Sequence, residues 1–293
     1  MTIFLLKINL KMFVTPALHK HIDLSSGNWY STFKKEGEDK MMNYDQFLEL
    51  LRYRRSIRRF KSDPIPDDYI IKILDAARYA MSGANSQPWE FIVIRDPNVK
   101  KKIYEIYRAD LELTWALEQQ RIPEYRHPAF NLAPEEREKA FGMLASWGQA
   151  PVYIAILEDP RKQWGSVMVA HGDLYYSSSR DILSATMGHL SMTIHLAAAS
   201  LGLGSQRVDV NHEHSYKEAL GYPEPLRLNI IVPIGYRAYE PGSPHRLPLE
   251  ELIHFDRYDT KKFLRNDDFL KYLERIRSLG RPGYRVAIGE GKG

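Results

Sequence analysis

The chain has 293 residues, enough for one sizeable domain with terminal arms, and its 44% hydrophobic and 12% aromatic content can fill a core. It has no cysteine, which excludes disulfides, thiol catalysis and thiolate metal sites and leaves any redox chemistry to a bound cofactor. A formal net charge of +4 permits anionic ligands without demanding nucleic acid.

Met1 to Val14 is apolar with interspersed lysines. Its apolar runs are too short for a membrane span and no cleavage pattern follows, so neither a span nor a signal peptide is expected, and the cytoplasm is the default location. Residues 15–41 are polar and irregular and read as an arm. A helix is predicted from about Asn43, with Phe47, Leu48, Leu50 and Leu51 at helical spacing, ending in the basic cluster Arg52 to Arg59. Asp63-Pro64-Ile65-Pro66 breaks the chain, and Asp67 and Asp68 open a second helix running to about Tyr79. Met81 to Pro88 is a loop, and Phe91 to Ile94 a strand stopped by Asp96-Pro97. Residues 98–147 are mixed but helical, interrupted between Pro123 and Pro134. Val152 to Leu157 is an apolar strand, and 159–180 a polar loop. Asp181 to Ser200 is a long helix, apolar all round and so expected to be buried, with Gly202 as its stop. Ser205 to Val210 reads as a short strand, Ser215 to Leu220 as a helix ended by Gly221, and Leu228 to Ile234 as a buried strand closed by Gly235. Lys261 to Ile276 has the pattern of an amphipathic helix, and Arg281 to Gly293 that of a loose tail. Strands separated by helices predict a mixed sheet flanked by helices, and long arms suit a dimer.

Four segments carry candidate chemistry. Arg54-Arg55-Ser56-Ile57-Arg58-Arg59-Phe60 crowds like charges, which an anion would relieve; guanidinium forks and a serine hydroxyl suit phosphate. A solvated helix end is the plain alternative. Ser82-Gly83-Ala84-Asn85-Ser86-Gln87-Pro88-Trp89 offers small residues and polar donors between a helix and a strand, and alone reads as a turn. Gly202-Leu203-Gly204-Ser205 follows a helix rather than a strand and lacks a third glycine, so it is not a dinucleotide fingerprint. Pro244-His245-Arg246-Leu247-Pro248 adds one arginine between prolines. His212-Glu213-His214 lacks a third ligand nearby, and no metal site is expected. His189 and His195 share a helix face poorly and read as core or interface residues.

Taken together and in this order, from about Tyr44 to Phe255, the four segments resemble the nitroreductase family. The resemblance implies an α+β fold with a mixed, mainly antiparallel sheet flanked by helices, in an arm-exchanged homodimer. It implies an arm over 1–41, an FMN domain over 42–258 and a C-terminal helix and tail over 259–293. It also implies residue roles. Arg54 and Ser56 should hold the FMN phosphate, with Arg246 closing from the far end of the chain, Arg55 should count among the cofactor-binding residues, and Arg58 should face the N1/O2 side of the ring. Ser82, Gly83 and Asn85 should reach FMN across the dimer, and Val208 and Asp209 should lie beside N5. NADH or NADPH would supply hydride by way of the flavin to a nitroaromatic, quinone or similar small acceptor in two-step exchange, with no side-chain acid or base required. Met81 replaces a proline common in the family, and Arg207-Val208-Asp209 replaces an aromatic-aliphatic-glycine run.

The stretch from about Arg108 to Trp147 is an expected insertion or lid, with Trp115, Tyr125, Phe130 and Trp147 to stack on a planar substrate and Arg121 or Arg126 to meet an acidic group. A helical pair packed on the dimer surface is the alternative. Ser56 stands where flavin-destroying benzimidazole synthases carry an acid, and Leu144 near where iodotyrosine dehalogenases carry a lid lysine, so both specialised readings rank below the general one. A flavin-binding store without turnover is the non-enzymatic alternative.

Overall fold

The computed structural model describes residues 42–118, 133–164, 176–242, 244 and 246–278. The N-terminal arm, Arg121, Tyr125, Arg126, Phe130 and the C-terminal tail lie outside the described residues. The chain divides after Asn43, and the unit from Tyr44 onward carries the fold.

Helix α1 spans Tyr44–Tyr53 and α2 spans Asp67–Ala77. Pro66 precedes α2, and Asp67 and Asp68 sit in its first turn, where acids complement the helix dipole. β1 runs over Trp89–Ile94. The Asp96-Pro97 stop is also a start: Asp96 Oδ1 accepts the N–H groups of Asn98 (2.8 Å) and Val99 (3.0 Å), capping α3, which continues unbroken over Pro97–Glu118. α4 spans Pro134–Leu144, and a short 3-10 turn over Ser146–Gln149 leads into β2, Val152–Glu158. α5 covers Tyr176–Ser200. The short strand expected over 205–210 is two strands of two residues, β3 (Gly204–Ser205) and β4 (Val208–Asp209), split by Gln206 and Arg207. α6 is Glu213–Leu220, ended by Gly221 at φ 69°, which glycine adopts without strain. β5 is Arg227–Gly235, α7 is Leu249–Leu252, and α8 is Asn266–Ser278. The last helix starts later than expected because Asp259 Oδ1 accepts from Lys261 N (3.0 Å) and closes a separate 3-10 turn over Thr260–Lys262.

The sheet has the order β1-β2-β5-β3, with β4 also on β5, and every ladder is antiparallel. One parallel bridge, Ser56 to Ser205, adds the arginine segment to the edge. β2 and β5 are central, and their near-continuous apolar runs follow from burial on both faces. Val152, Ile154, Ile156, Ile230, Val232 and Ile234 meet α2 and α5 on one face through Ile70, Ile73, Leu190 and Ile194. Tyr153, Ala155, Leu157 and Ile231 alternate to the other face, against Ile103, Trp147 and Tyr216. Full burial of such aliphatic side chains contributes about 1.5–3 kcal/mol each. Among the described residues one stretch, Arg180–Ser200, is long and apolar enough to cross a membrane, and half of it is buried in the protein. Its burial is one-sided rather than all round: Leu183, Met187, Leu190, Ile194 and Ala198 are covered, while Ala185, Gly188, His189 and Met192 are exposed.

Candidate functional site

α1 stops at Tyr53, and the chain becomes extended through the arginine run. Ile57 N donates to Ser205 O (2.9 Å), Lys61 N to Tyr236 O (2.9 Å), and Ala238 N to Arg59 O (3.2 Å), so the segment is fastened on both sides. Ile57 and Phe60 are buried anchors, and Arg54, Ser56 and Arg58, before and between them, are half-buried. Arg55 braces the chain by donating to Gly242 O (2.8 Å). Ser146 Oγ donates to Arg58 O (2.9 Å). β3 has no room for a larger residue: a Cβ on Gly204 would lie 2.8 Å from Ile57 Cγ1.

The electrostatics of Arg54 suit an anion. Burial first, and then the charge of Arg246, lower its proton affinity. Its Nε is buried and has no hydrogen-bond partner among the described residues. A buried donor left unpaired costs about 1–3 kcal/mol, and an anion would satisfy the donor and neutralise the two guanidiniums. Arg54, Ser56 and Arg246 therefore fit a terminal phosphate.

Val208 is buried and pairs with Ile231 of β5, whereas the exposed Asp209 accepts from Arg207 Nε (2.7 Å). Burial raises the proton affinity of Tyr107, Asp209 adds to that, and Arg58 opposes it. Arg58, Tyr107 and Asp209 thus share one electrostatic neighbourhood, beside the arginine run. The Ser82–Asn85 loop sits elsewhere, against Ile182 and Trp164, where a Cβ on Gly83 would come within 2.6 Å of Ile182 Cγ2. Its residues Ala84 (φ 53°) and Asn85 (φ 52°) and the following Gln87 (φ 45°) are left-handed, and Ser82 Oγ accepts from Gln87 N (3.1 Å). Strain of this kind is held at binding loops more often than elsewhere.

Trp147 corrects an expectation. It is fully buried rather than placed over a substrate, packed edge-on against Tyr104, Tyr107 and Tyr153 at centroid distances of 5.6, 5.0 and 5.2 Å. The reason is its place on the turn that feeds the central strand β2. Trp115 falls on α3, with its side chain outside what is described. In the His212-Glu213-His214 run, His212 Nδ1 meets Asp110 Oδ1 (3.0 Å), Glu213 accepts from Tyr222 OH (2.9 Å) and Leu228 N (2.8 Å), and the exposed His214 meets Glu218 (3.2 Å). A pair not singled out from the sequence is His195 with Ser205, Nδ1 to Oγ at 2.8 Å, both buried. The readable signal was a histidine on the apolar stripe of α5, since a buried polar ring requires a partner.

The sequence matches the model of the nitroreductase family over residues 51–236. The chain belongs to the nitroreductase family. As a member it is a flavin-dependent NAD(P)H oxidoreductase. An NADH dehydrogenase of Thermus thermophilus is 29% identical over 215 residues, covering 68% of this chain and 91% of that protein. An iodotyrosine deiodinase of Nematostella vectensis is 26% identical over 212 residues, covering 71% and 74%. In structure, nitroreductase A from Vibrio parahaemolyticus aligns with a TM-score of 0.55 at 19% identity, over 81% of this chain and 85% of that one, and shares the fold. The sheet of this nitroreductase-family chain is the mainly antiparallel one expected, flanked by helices on both faces.

Proposed function

We propose that the cofactor is FMN, that NADH or NADPH is the donor, and that an electron-poor small molecule such as a nitroaromatic or quinone is the acceptor. The observation that carries the reading is the half-buried Arg54, its Nε without a hydrogen-bond partner among the described residues, beside Arg246. When bound, the flavin supplies two-electron hydride chemistry between donor and acceptor. Arg54, Ser56 and Arg246 would hold its phosphate, Arg58 would set a cation beside the ring, and the Val208–Asp209 segment would lie by the reactive edge. Mass identification of the extracted cofactor tests the first part: FMN supports it, and a protein that is colourless and takes up no added FMN defeats it. Anaerobic bleaching of the visible flavin band by NADH or NADPH tests turnover; no bleaching with either favours a flavin store.

The working unit in this reading is a homodimer in which the Ser82–Asn85 loop of one subunit completes the site of the other. Support comes from apolar side chains that one chain leaves uncovered: Leu249, Leu252, Phe255, Tyr258 and Phe263 after β5, and Met192 on α5. The stretch from about Arg108 to Trp147 is the proposed substrate lid, with Trp115, Arg121, Tyr125 and Arg126 as its recognition residues. Shortening its loop between Arg121 and Pro134 should change acceptor turnover while FMN stays bound and the melting temperature holds; unchanged kinetics across several acceptors leave only a packing role.

A second reading is reductive dehalogenation, favoured by the likeness to the Nematostella vectensis iodotyrosine deiodinase. Halide release from halogenated phenols, compared with reduction of nitroaromatics and quinones by the same preparation, separates the two.

A further inference from the structure

We propose that His195 is a positioning residue for the phosphate end of the site, fixing through Ser205 where the Arg54–Ser56 segment lies. The proposal rests on the reading that this site takes the phosphate of a flavin. Three observations carry it. His195 lies on the buried stripe of α5 among Leu190, Ile194 and Ala198, where an unpaired polar ring would be costly, and its Nδ1 meets Ser205 Oγ at 2.8 Å. Ser205 is a branch point: its side chain faces α5, its carbonyl accepts from Ile57 N at 2.9 Å, and its backbone pairs with Ile234 of β5. One chain of bonds therefore runs from α5 through β3 into the arginine run. Gly204 leaves no room for a side chain beside Ile57, so β3 packs closely on the arginine run.

Histidine suits the place because it supplies hydrogen bonds without charge. Burial first, then Arg54 just after α1 and Arg207 between β3 and β4, hold the imidazole pKa down to about 4. At neutral pH it adds no further cation beside Arg54 and Arg246.

The test titrates flavin-stripped protein with FMN and with riboflavin, which lacks the phosphate, following the quenching of flavin fluorescence. His195→Phe and Ser205→Ala should each lower the preference for FMN over riboflavin by roughly fivefold to tenfold, the equivalent of one lost hydrogen bond. Ser205→Thr, which keeps the hydroxyl, should preserve the preference. A structural defect alone would weaken both flavins alike. An unchanged FMN-to-riboflavin ratio in folded Ser205→Ala overturns the proposal, even where His195→Phe fails to fold. A wild-type protein that does not distinguish the two flavins overturns the phosphate reading instead.

Discussion

Arg54 and Arg246 come from opposite ends of the fold and meet with like charge, and of the two Arg54 is the half-buried one. The cradle is therefore costly to hold empty and favourable to fill. Arg54→Gln should lower FMN affinity roughly 10- to 150-fold, because a charge-assisted contact worth about 1.5–3 kcal/mol is lost. The flavin-free variant should melt no lower than the parent, since a repulsion goes with the contact. Fluorescence titration and calorimetry read the two effects, and a parallel fall in both would show that Arg54 serves the fold.

Gly204 and Ile57 offer a paired test. Gly204→Ala drives a methyl to within 2.8 Å of Ile57 and should cost about 1–3 kcal/mol with loss of FMN, because Ile57 lies between Ser56 and Arg58. Ile57→Ala removes Cγ1 and Cγ2, two of the three atoms that methyl would meet, so the double variant should lose less than the sum of the two single changes. Additive losses in the double variant would refute the steric account.

The depressed proton affinity of His195 makes a prediction for acid stability. The folded state holds this ring neutral down to about 4, whereas the unfolded chain protonates it near the ordinary value of 6.5. The unfolded state thus binds more protons between those limits, so stability is lost as pH falls from about 6.5 to about 4 and is unaffected by this group above 6.5. The loss is on the order of 3 kcal/mol. Denaturant melts of flavin-free protein should show that slope, and His195→Gln should flatten it; an equal slope in the variant would assign the acid sensitivity to other groups.

The exposed aromatics after β5 should govern assembly. Phe255→Asp with Phe263→Asp places charges where a second subunit would cover Phe255, now 84% exposed, and Phe263, now 61% exposed. Light scattering should show a monomer, and the variant should lose FMN because the Ser82–Asn85 loop of the other subunit no longer reaches the site. A dimer that persists would place the interface elsewhere.

Much of the fold was legible because its punctuation is local. Asp63 to Asp68, Asp96-Pro97, Gly202 and Gly221 mark element ends by proline geometry, caps and left-handed glycine, and the unbroken apolar runs of β2 and β5 announce strands buried on both faces. The arginine run was legible as chemistry because like charges so crowded call for an anion. What was not legible depends on pairing across the fold. Nothing near His195 in the chain names Ser205, and only the turn at Gly202 brings them together. Trp147 was read as a stacking residue because its own segment looks helical and mixed; its burial follows from Tyr104, Tyr107 and Tyr153, which reach it from α3 and β2. α5 was read as buried all round because hydrophobicity alone does not distinguish a side facing the sheet from one left open.

Arg108 reaches from α3 to Glu138 on α4 at 2.6 Å, and Trp147 is locked just beyond α4. Both ends of whatever runs between Glu118 and Pro134 are thereby moored independently of that stretch. Its length and side chains can drift over generations without loosening the sheet or the arginine run. On the reading of that stretch as part of a substrate lid, descendants of this chain can acquire new acceptors without disturbing the arginine run.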